Sequence, residues 1–267
     1  GETRTQFLPS TGGSGSPLLD LADKHGYQMI LAYDYDSLNT PIKETAQALK
    51  TKLAAAGIGQ GHGKTVHLMA HSMGGVVARW FIENEGGNTI INHLIMVGTP
   101  NGGTPWPNVL DMLKLAASFA LNKITLPGIP VAIIGWLLDK AKLVGDVDVV
   151  TNDLKTKSVF MDELANSPDP ALPYTIIAGN TKLINTNNQK QIKGLMDRLN
   201  LPGLANKTIT SLLFGSDNDL VVSKASMGAV PGTRNPLPQL NEAACDHLSY
   251  YQSEAGLTAI DTVMNGL

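Results

Sequence analysis

Residues 65–75 of the chain read Thr-Val-His-Leu-Met-Ala-His-Ser-Met-Gly-Gly and are followed by Val-Val-Ala-Arg-Trp-Phe-Ile. The first part is an apolar run of strand length, and the second part continues as an apolar helical stretch. Ser72 falls between them, in a tight turn. A strand–turn–helix unit of this kind holds a serine hydroxyl clear of the backbone and beside the unpaired N–H groups of a helix N-terminus. This stretch therefore predicts a nucleophilic serine in an α/β fold.

The residues on either side of Ser72 are small, as a crowded turn requires. Ala70 lies two positions before the serine and Gly74 lies two positions after it. The usual pattern is Gly-x-Ser-x-Gly, so Ala70 takes the place of the first glycine. Gly75 is predicted to let the helix pack closely against the strand.

Two motifs resemble those of a known superfamily. The run Ala-His-Ser-Met-Gly-Gly is similar to the nucleophile elbow of bacterial lipases and esterases of the α/β-hydrolase superfamily. Residues 97–104, Val-Gly-Thr-Pro-Asn-Gly-Gly-Thr, resemble the loop that follows the next strand in lipase-like members. The resemblance implies an α/β-hydrolase fold: a mostly parallel sheet with helices on both faces and a helical cap insertion. It also implies one domain over residues 1–267, with the cap at 105–158.

In this superfamily a catalytic triad follows the chain order serine, acid, histidine. His247 is late enough after Ser72 to be the base, and it lies in a predicted loop before the last helix. We interpret the remaining histidines as structural, hydrogen-bonded or surface residues; they are His25, His62, His67, His71 and His93.

The acid is expected in the loop after a predicted strand at residues 211–214. The resemblance to lipase loops with an aspartate directly before a pair of Leu, Ile or Val followed by Val favours Asp219, and Asp217 is the alternative. We expect Asp217 to accept backbone N–H groups in the turn. Asp246 adjoins His247 and is expected to be solvated.

An oxyanion hole needs two N–H donors. Met73, the residue after the serine, is predicted to supply one of them. The other would come from the loop at residues 10–16, with Thr11 or Gly12 as the donor. The same Gly/Ser-rich loop is equally compatible with a flexible linker.

Strands and helices alternate along the chain. The pattern predicts helices at residues 17–26, 42–56, 74–85 and 191–199, and strands at 28–32, 65–70, 90–97 and 174–178. Ile42, Ala46, Leu49, Leu53 and Ala56 form the predicted buried stripe of the second helix. Apolar helical patterns at 109–119 and 131–138 predict the cap, either as a mobile lid over an acyl-chain pocket or as a fixed part of the core.

Composition narrows the range of functions. The chain has 267 residues, 43% of them hydrophobic, and a net charge of −3, which argues against binding to nucleic acid or to an anionic membrane surface. The single cysteine, Cys245, is interpreted as a core residue. The apolar run at 131–138 is too short for a transmembrane segment, which needs about 20 residues. No motif indicates a metal or another cofactor, and the sequence leaves cytoplasmic and secreted locations open.

These observations predict a lipase- or esterase-like hydrolase of carboxylic esters, acting on a small-molecule or lipid ester. An acyltransferase or amidase with the same triad is the alternative within enzymes. A weakly active hydrolase fold used for binding is the other alternative, because no His-Gly sequence follows an apolar strand near the N-terminus. The oligomeric state is not determined by the sequence.

Overall fold

The sheet consists of parallel strands. The computed structural model of the protein describes residues 16–35, 40–103, 153–185 and 217–267. Within these residues the sheet has four strands paired in chain order, which are β1 (His67–His71), β2 (His93–Val97), β3 (Tyr174–Gly179) and β4 (Gln239–Ala243). Because the strands are parallel, their carboxyl ends meet at one edge of the sheet, where ligands of α/β proteins bind.

Helices alternate with these strands. In the described part of the chain they are α1 (Pro17–Lys24), α2 (Ile42–Ala55), α3 (Met73–Asn84), α4 (Val159–Ala165), α5 (Lys224–Met227) and α6 (Glu254–Asn265), with 3₁₀ turns at Gly87–Thr89 and Thr181–Leu183. Ser158, Ser223 and Ser253 cap the N-termini of α4, α5 and α6, each accepting a backbone N–H from the third residue after it.

Alternate residues of the strands face opposite sides of the sheet. Leu94 and Met96 of β2 belong to a core formed with α2 and α3. Ile95 and Val97 belong to a second core formed with α1 and α6. The prediction of a mostly parallel sheet with helices on both faces is therefore confirmed. Burial on both faces also explains why β2 is apolar from Leu94 to Val97 instead of alternating.

The predicted bounds of α1, α2, α3, β1, β2 and β3 agree with the structure to within three residues. The strand predicted at residues 28–32 is wrong. These residues pair with no strand of the described chain, and Met29, Ile30 and Leu31 are exposed. An apolar, β-prone sequence forms a strand only where a neighbour can take its backbone hydrogen bonds, and sequence pattern does not reveal that neighbour.

The buried stripe of α2 is confirmed at Ile42, Ala46 and Leu49, while Leu53 is half-buried. Ala56 is exposed, contrary to the prediction, because the helix ends at Ala55. The predicted helix at 191–199, the predicted strand at 211–214 and the cap up to residue 152 lie outside the described residues.

A buried ion cluster joins α3 to three other segments. The Glu83 carboxylate accepts Arg79 Nε at 2.9 Å, Arg234 Nη2 at 2.6 Å and the Tyr174 hydroxyl at 3.0 Å. Arg79 also donates to Asn101 Oδ1 at 3.3 Å. All five side chains are buried. Shared hydrogen bonds to a single carboxylate compensate the cost of removing these charges from water.

Candidate active site

Ser72 lies at the carboxyl end of β1, in the turn that leads directly into α3. Its φ of 54° and ψ of −131° are values that residues with a Cβ rarely adopt. The Ser72 N–H donates to the Val97 carbonyl at 2.9 Å, and the Ser72 carbonyl accepts the Gly75 N–H at 3.0 Å. The strained turn is therefore held by β2 on one side and by the first turn of α3 on the other.

Position 75 of this turn has space only for a glycine. A Cβ at Gly75 would lie 1.9 Å from Thr99 Oγ1 and 2.7 Å from Thr99 Cβ. At Gly74, by contrast, a Cβ would be 3.6 Å from the Tyr35 hydroxyl and 4.0 Å from the Ala70 Cβ, which is ordinary contact. Position 74 thus has room for a methyl group. The close packing predicted for Gly75 is made against Thr99, which follows β2.

Three residues that are far apart in the sequence meet at this edge of the sheet. His247 Nε2 is 3.0 Å from Ser72 Oγ, and His247 Nδ1 is 2.6 Å from Asp219 Oδ2. Asp219 is completely buried and His247 is 3% exposed, whereas Ser72 is half-buried. The imidazole therefore bridges the hydroxyl of a half-buried serine and a fully buried carboxylate.

The partners of His247 define where its protons lie. A carboxylate oxygen only accepts hydrogen bonds, so in this contact Nδ1 carries the proton. In a neutral ring Nε2 is then the acceptor, and the Ser72 hydroxyl donates to it. The ring thus presents a lone pair to Ser72.

The Asp219 carboxylate has partners at both oxygens. Oδ1 accepts the N–H groups of Val221 at 3.0 Å and Val222 at 2.7 Å. Oδ2 accepts the Tyr250 hydroxyl at 2.8 Å in addition to the His247 ring. Leu220, between the acid and these amides, has a φ of 79°, and this tight turn aims both N–H groups back at the carboxylate. Four donors hold the charge in place.

Of the two aspartates considered as the acid, Asp219 contacts His247. Asp217 is exposed, and its carboxylate accepts Asn180 Nδ2 at 3.2 Å and lies 3.6 Å from Lys182 Nζ. The expectation that Asp217 accepts backbone N–H groups is wrong for the described residues: the Val221 and Val222 amides bond to Asp219 Oδ1, and the Leu220 amide bonds to Asn218 Oδ1. The Asn180 hydrogen bond, with smaller contributions from neighbouring lysines, lowers the pKa of Asp217.

Asp246 is buried, so the expectation that it is solvated is wrong. Its carboxylate accepts the Ser249 hydroxyl at 2.7 Å and the Leu248 N–H at 3.1 Å. These contacts fold residues 246–253 into a compact turn, and the last helix begins only at Glu254. His247 lies in the loop before that helix, as predicted.

Tyr250 is a residue of this site that sequence reasoning did not find. Its hydroxyl accepts the Gly179 N–H at 2.6 Å and donates to Asp219. The one sequence signal was its position, three residues after His247, where one turn of chain brings it back to the same side. Burial, with the nearby Asp219 charge second, raises the pKa of the Tyr250 hydroxyl well above its ordinary value.

The other histidines have structural partners, as predicted. His71 Nε2 lies 2.9 Å from the His247 carbonyl, and burial followed by the nearby His247 lowers the pKa of His71 to about 3. His62 bonds to the Ile90 carbonyl, and His93 bonds to the Thr175 hydroxyl. His25 pairs with Asp261, and His67 with the Tyr27 hydroxyl. Cys245 is a buried free thiol, consistent with a core residue.

The expected oxyanion donors are described in part. Met73 directly follows Ser72 and is the first residue of α3, so its N–H has no carbonyl partner within the helix. Thr11 and Gly12 lie outside the described residues.

Within the described residues, no group of three His, Cys, Asp or Glu side chains is arranged to hold a metal ion. None of the helices in this part of the chain combines the length and apolar content that crossing a bilayer requires.

Together, the parallel sheet, the strained serine between β1 and α3, and the buried His247–Asp219 pair define an α/β-hydrolase fold with a Ser-His-Asp constellation. The chain belongs to the family described as "Domain of unknown function (DUF7379)", whose sequence model matches residues 7–265. Among curated proteins, none matches the chain.

Several solved structures are similar to this chain. The mature lipase BlEst2 of Bacillus licheniformis is 19% identical, with a TM-score of 0.48 over 85% of this chain and 74% of the lipase. Phospholipase PlaB of Legionella pneumophila is 19% identical, with a TM-score of 0.45 over 79% of this chain and 41% of the phospholipase. The lin2722 gene product of Listeria innocua is 12% identical, with a TM-score of 0.47 over 95% of this chain and 90% of the Listeria protein. Likeness at these identities concerns the fold alone.

Proposed function

We propose that the protein is a serine hydrolase that cleaves carboxylic esters through an acyl-enzyme on Ser72. The observation that supports this most directly is the His247 ring, which contacts Ser72 Oγ at 3.0 Å and Asp219 Oδ2 at 2.6 Å. A serine hydroxyl is a weak nucleophile at neutral pH, and a neutral imidazole held by a carboxylate is the general base that activates it.

In the acylation half, Ser72 Oγ attacks the ester carbonyl while its proton passes to His247 Nε2. The bond from Oγ to the acyl carbon forms, and the carbonyl oxygen becomes an oxyanion. As the tetrahedral intermediate collapses, the bond to the alcohol breaks and the departing oxygen takes the proton from Nε2. His247 is then neutral again, and the acyl group is an ester of Ser72.

In the deacylation half, water replaces the alcohol. His247 Nε2 removes a proton from water as the water oxygen attacks the acyl carbon. When the bond from the acyl carbon to Ser72 Oγ breaks, Nε2 gives this proton to Oγ. The carboxylic acid leaves and the hydroxyl is restored. Attack by an alcohol or an amine at this step would give acyl transfer, so the products formed in the presence of added alcohol separate the two activities.

Asp219 has two roles in this proposal. It keeps the proton on Nδ1, so that Nε2 always faces Ser72 as a base. It also stabilises the imidazolium that forms when Ser72 gives up its proton. Because Asp219 is buried and accepts four hydrogen bonds, the charge acts at short range with little screening by water.

The oxyanion requires N–H donors. The Met73 N–H, at the start of α3, is the first donor, and the helix dipole adds to its effect. We propose Thr11 or Gly12 as the second donor. A side-chain substitution does not remove a backbone N–H donor. Substitution of the nucleophile or of the base is therefore the more direct test of the proposed mechanism.

The test compares the wild type with Ser72→Ala on p-nitrophenyl acyl esters of increasing chain length. We expect Ser72→Ala to reduce kcat/KM by at least about 10³-fold, while far-UV circular dichroism remains unchanged. The chain length with the highest kcat/KM in the wild type defines the preferred acyl group.

Ser253→Ala is the matched control. Ser253 caps α6 and accepts the Gly256 N–H at 3.1 Å, so its loss is expected to cost about 1 kcal/mol of stability and no activity. Equal turnover by the wild type and Ser72→Ala would contradict the proposal. Absence of turnover in both would favour a hydrolase fold used for binding.

A further inference from the structure

We propose that Tyr250 is a positioning residue for the His247–Asp219 pair: its hydroxyl fixes the Asp219 carboxylate, disperses part of its charge, and so weakens the attraction of Asp219 for the imidazolium proton of His247. The kinetic part of this inference rests on the proposed function. The structural part, an effect of Tyr250 on the protonation of His247, does not require turnover.

The hydrogen-bond directions at Tyr250 follow from its partners. The Gly179 N–H is a donor, so the Tyr250 oxygen accepts from it at 2.6 Å. The hydroxyl has one proton, and Asp219 Oδ2, at 2.8 Å, is a better acceptor than Met227 Sδ, at 3.8 Å. The sequence of bonds is therefore Gly179 N–H to Tyr250 oxygen, and Tyr250 O–H to Asp219.

Two glycines provide the space for this contact. A Cβ at Gly98, the residue after β2, would lie 2.9 Å from Tyr250 Cε2 and 3.1 Å from Asp219 Oδ2. A Cβ at Gly179, the last residue of β3, would lie 2.6 Å from the Tyr250 hydroxyl and 2.8 Å from Asp219 Cβ. The carboxyl ends of two adjacent strands thus have no side chain where the Tyr250–Asp219 pair lies. A side chain at position 98 or 179 would displace this pair.

Asp219 Oδ2 is shared between Tyr250 and His247. A donor that bonds to a carboxylate stabilises its charged form and disperses its charge. With the Tyr250 hydroxyl in place, Asp219 attracts the proton of the imidazolium less strongly than a carboxylate without it. Removing the hydroxyl therefore favours the protonated ring, so the acid limb of the pH–rate profile is expected to move to higher pH. Because burial keeps Tyr250 protonated, it donates throughout the working pH range.

The same hydroxyl restricts where the carboxylate can lie. Val221 and Val222 hold Oδ1, whereas Oδ2 has only side-chain partners. Without the Tyr250 hydroxyl, the remaining side-chain contact of Asp219 Oδ2 is the His247 ring. The carboxylate would then no longer be held in place independently of the ring that it orients. Loss of the hydroxyl should therefore lower kcat as well as change the pH profile.

The first experiment measures kcat/KM against pH for the wild type and Tyr250→Phe on a p-nitrophenyl ester. We expect kcat/KM at pH 8 to fall by about tenfold, and the acid limb to move to higher pH by about 0.5–1 unit. The matched control is Tyr174→Phe, which removes another buried hydroxyl from a carboxylate, that of Glu83, at the opposite end of β3. A merely structural effect would lower the stability of both variants and leave both acid limbs at the wild-type pH.

The second experiment uses 3-fluorotyrosine at position 250, which preserves the ring and strengthens the hydroxyl as a donor. Because a stronger donor withdraws more charge from Asp219, the acid limb should move to lower pH, opposite to Tyr250→Phe. This substitution also covers the case in which Tyr250→Phe fails to fold. Acid limbs that coincide in all three proteins, or that move in the same direction in both variants, would overturn the proposal.

A third measurement separates this inference from the proposed function. The His247 ring is titrated by NMR in protein labelled with [¹³C]histidine, and its resonance is identified by its loss in His247→Ala. A higher midpoint in Tyr250→Phe than in the wild type supports the role of Tyr250 even if no ester is hydrolysed. Equal midpoints would overturn the role of Tyr250 whether or not an ester is hydrolysed, and turnover by the wild type would then leave the proposed function intact.

Discussion

His71, the residue directly before Ser72, bonds through its Nε2 to the backbone carbonyl of His247 across 2.9 Å. A carbonyl oxygen only accepts, so His71 donates in this contact. The two rings are also close, with centroids 4.7 Å apart. Burial, followed by the nearby His247, lowers the pKa of His71 to about 3. His71 therefore stays neutral when His247 becomes charged, and it supports the His247 loop without adding a second positive charge.

The assignment of the acid is tested by Asp219→Asn. An asparagine fits the same space but does not stabilise an imidazolium, and its amide can force the wrong tautomer on His247. We expect kcat to fall by roughly 10³–10⁴-fold, measured as turnover of a p-nitrophenyl ester. Asp217→Asn, two residues away and exposed, is the control and should retain wild-type turnover. The reverse result would identify Asp217 as the acid.

The packing of the turn around Ser72 is tested by Gly75→Ala. The added methyl group would lie 1.9 Å from Thr99 Oγ1, and the Thr99 Cβ cannot move without its backbone. Urea denaturation should show that the free energy of unfolding falls by about 1–3 kcal/mol or more. Gly74→Ala, with 3.6 Å of clearance, should change it by no more than about 1 kcal/mol, because alanine also favours the helix. A similar loss in both variants would show that Thr99 is not the constraint.

The buried ion cluster on α3 is tested by Glu83→Gln. This change removes the carboxylate charge that Arg79 and Arg234 share, which is their one ion-pair partner among the described residues, and we expect the free energy of unfolding to fall by about 3–5 kcal/mol. Glu163→Gln removes an exposed pair with Lys43 and should cost about 0–1 kcal/mol. The two values come from urea denaturation at one pH. A loss below about 1 kcal/mol for Glu83→Gln would mean that the cluster does not stabilise the fold.

Acid sensitivity is tested at His93, on β2. Burial, with the neighbouring His67 second, lowers the pKa of His93 from 6.5 to about 4. The unfolded chain thus binds a proton that the folded chain rejects, so this contribution to the free energy of unfolding is complete above about pH 6.5 and decreases as the pH falls towards 4. His93→Gln retains a donor for Thr175 but does not titrate. Urea denaturation between pH 7.5 and 4.5 should show a smaller decrease for this variant, and an equal decrease would contradict the assignment.

The sequence predicted the part of this fold that depends on local pattern. The elements on both sides of Ser72 were found because an apolar strand and an apolar helix there are separated by a single small-residue turn. Residues 28–32 have an equally apolar pattern, but strand formation depends on a pairing partner elsewhere in the chain. Pattern alone does not contain that information.

In the site, too, local sequence patterns were predicted and long-range contacts were not. Ser72 and His247 were predicted from motif and chain order, and the choice between Asp217 and Asp219 depended on resemblance. The burial of Asp246 and the contact of Tyr250 with Asp219 depend on how the turn after β4 folds back on itself. That turn is stabilised by side-chain bonds such as Ser249 to Asp246, which sequence spacing does not reveal.

The most direct test of the account is covalent labelling of Ser72. A fluorophosphonate probe is incubated with the wild type, Ser72→Ala and His247→Ala, and the modified residue is located by peptide mass spectrometry. We predict one label, on Ser72, in the wild type, none in Ser72→Ala, and labelling slowed by at least about 100-fold in His247→Ala. A wild-type protein that does not react, or that reacts at Ser72 equally fast without the His247 ring, would contradict the claim that these side chains form a working nucleophile.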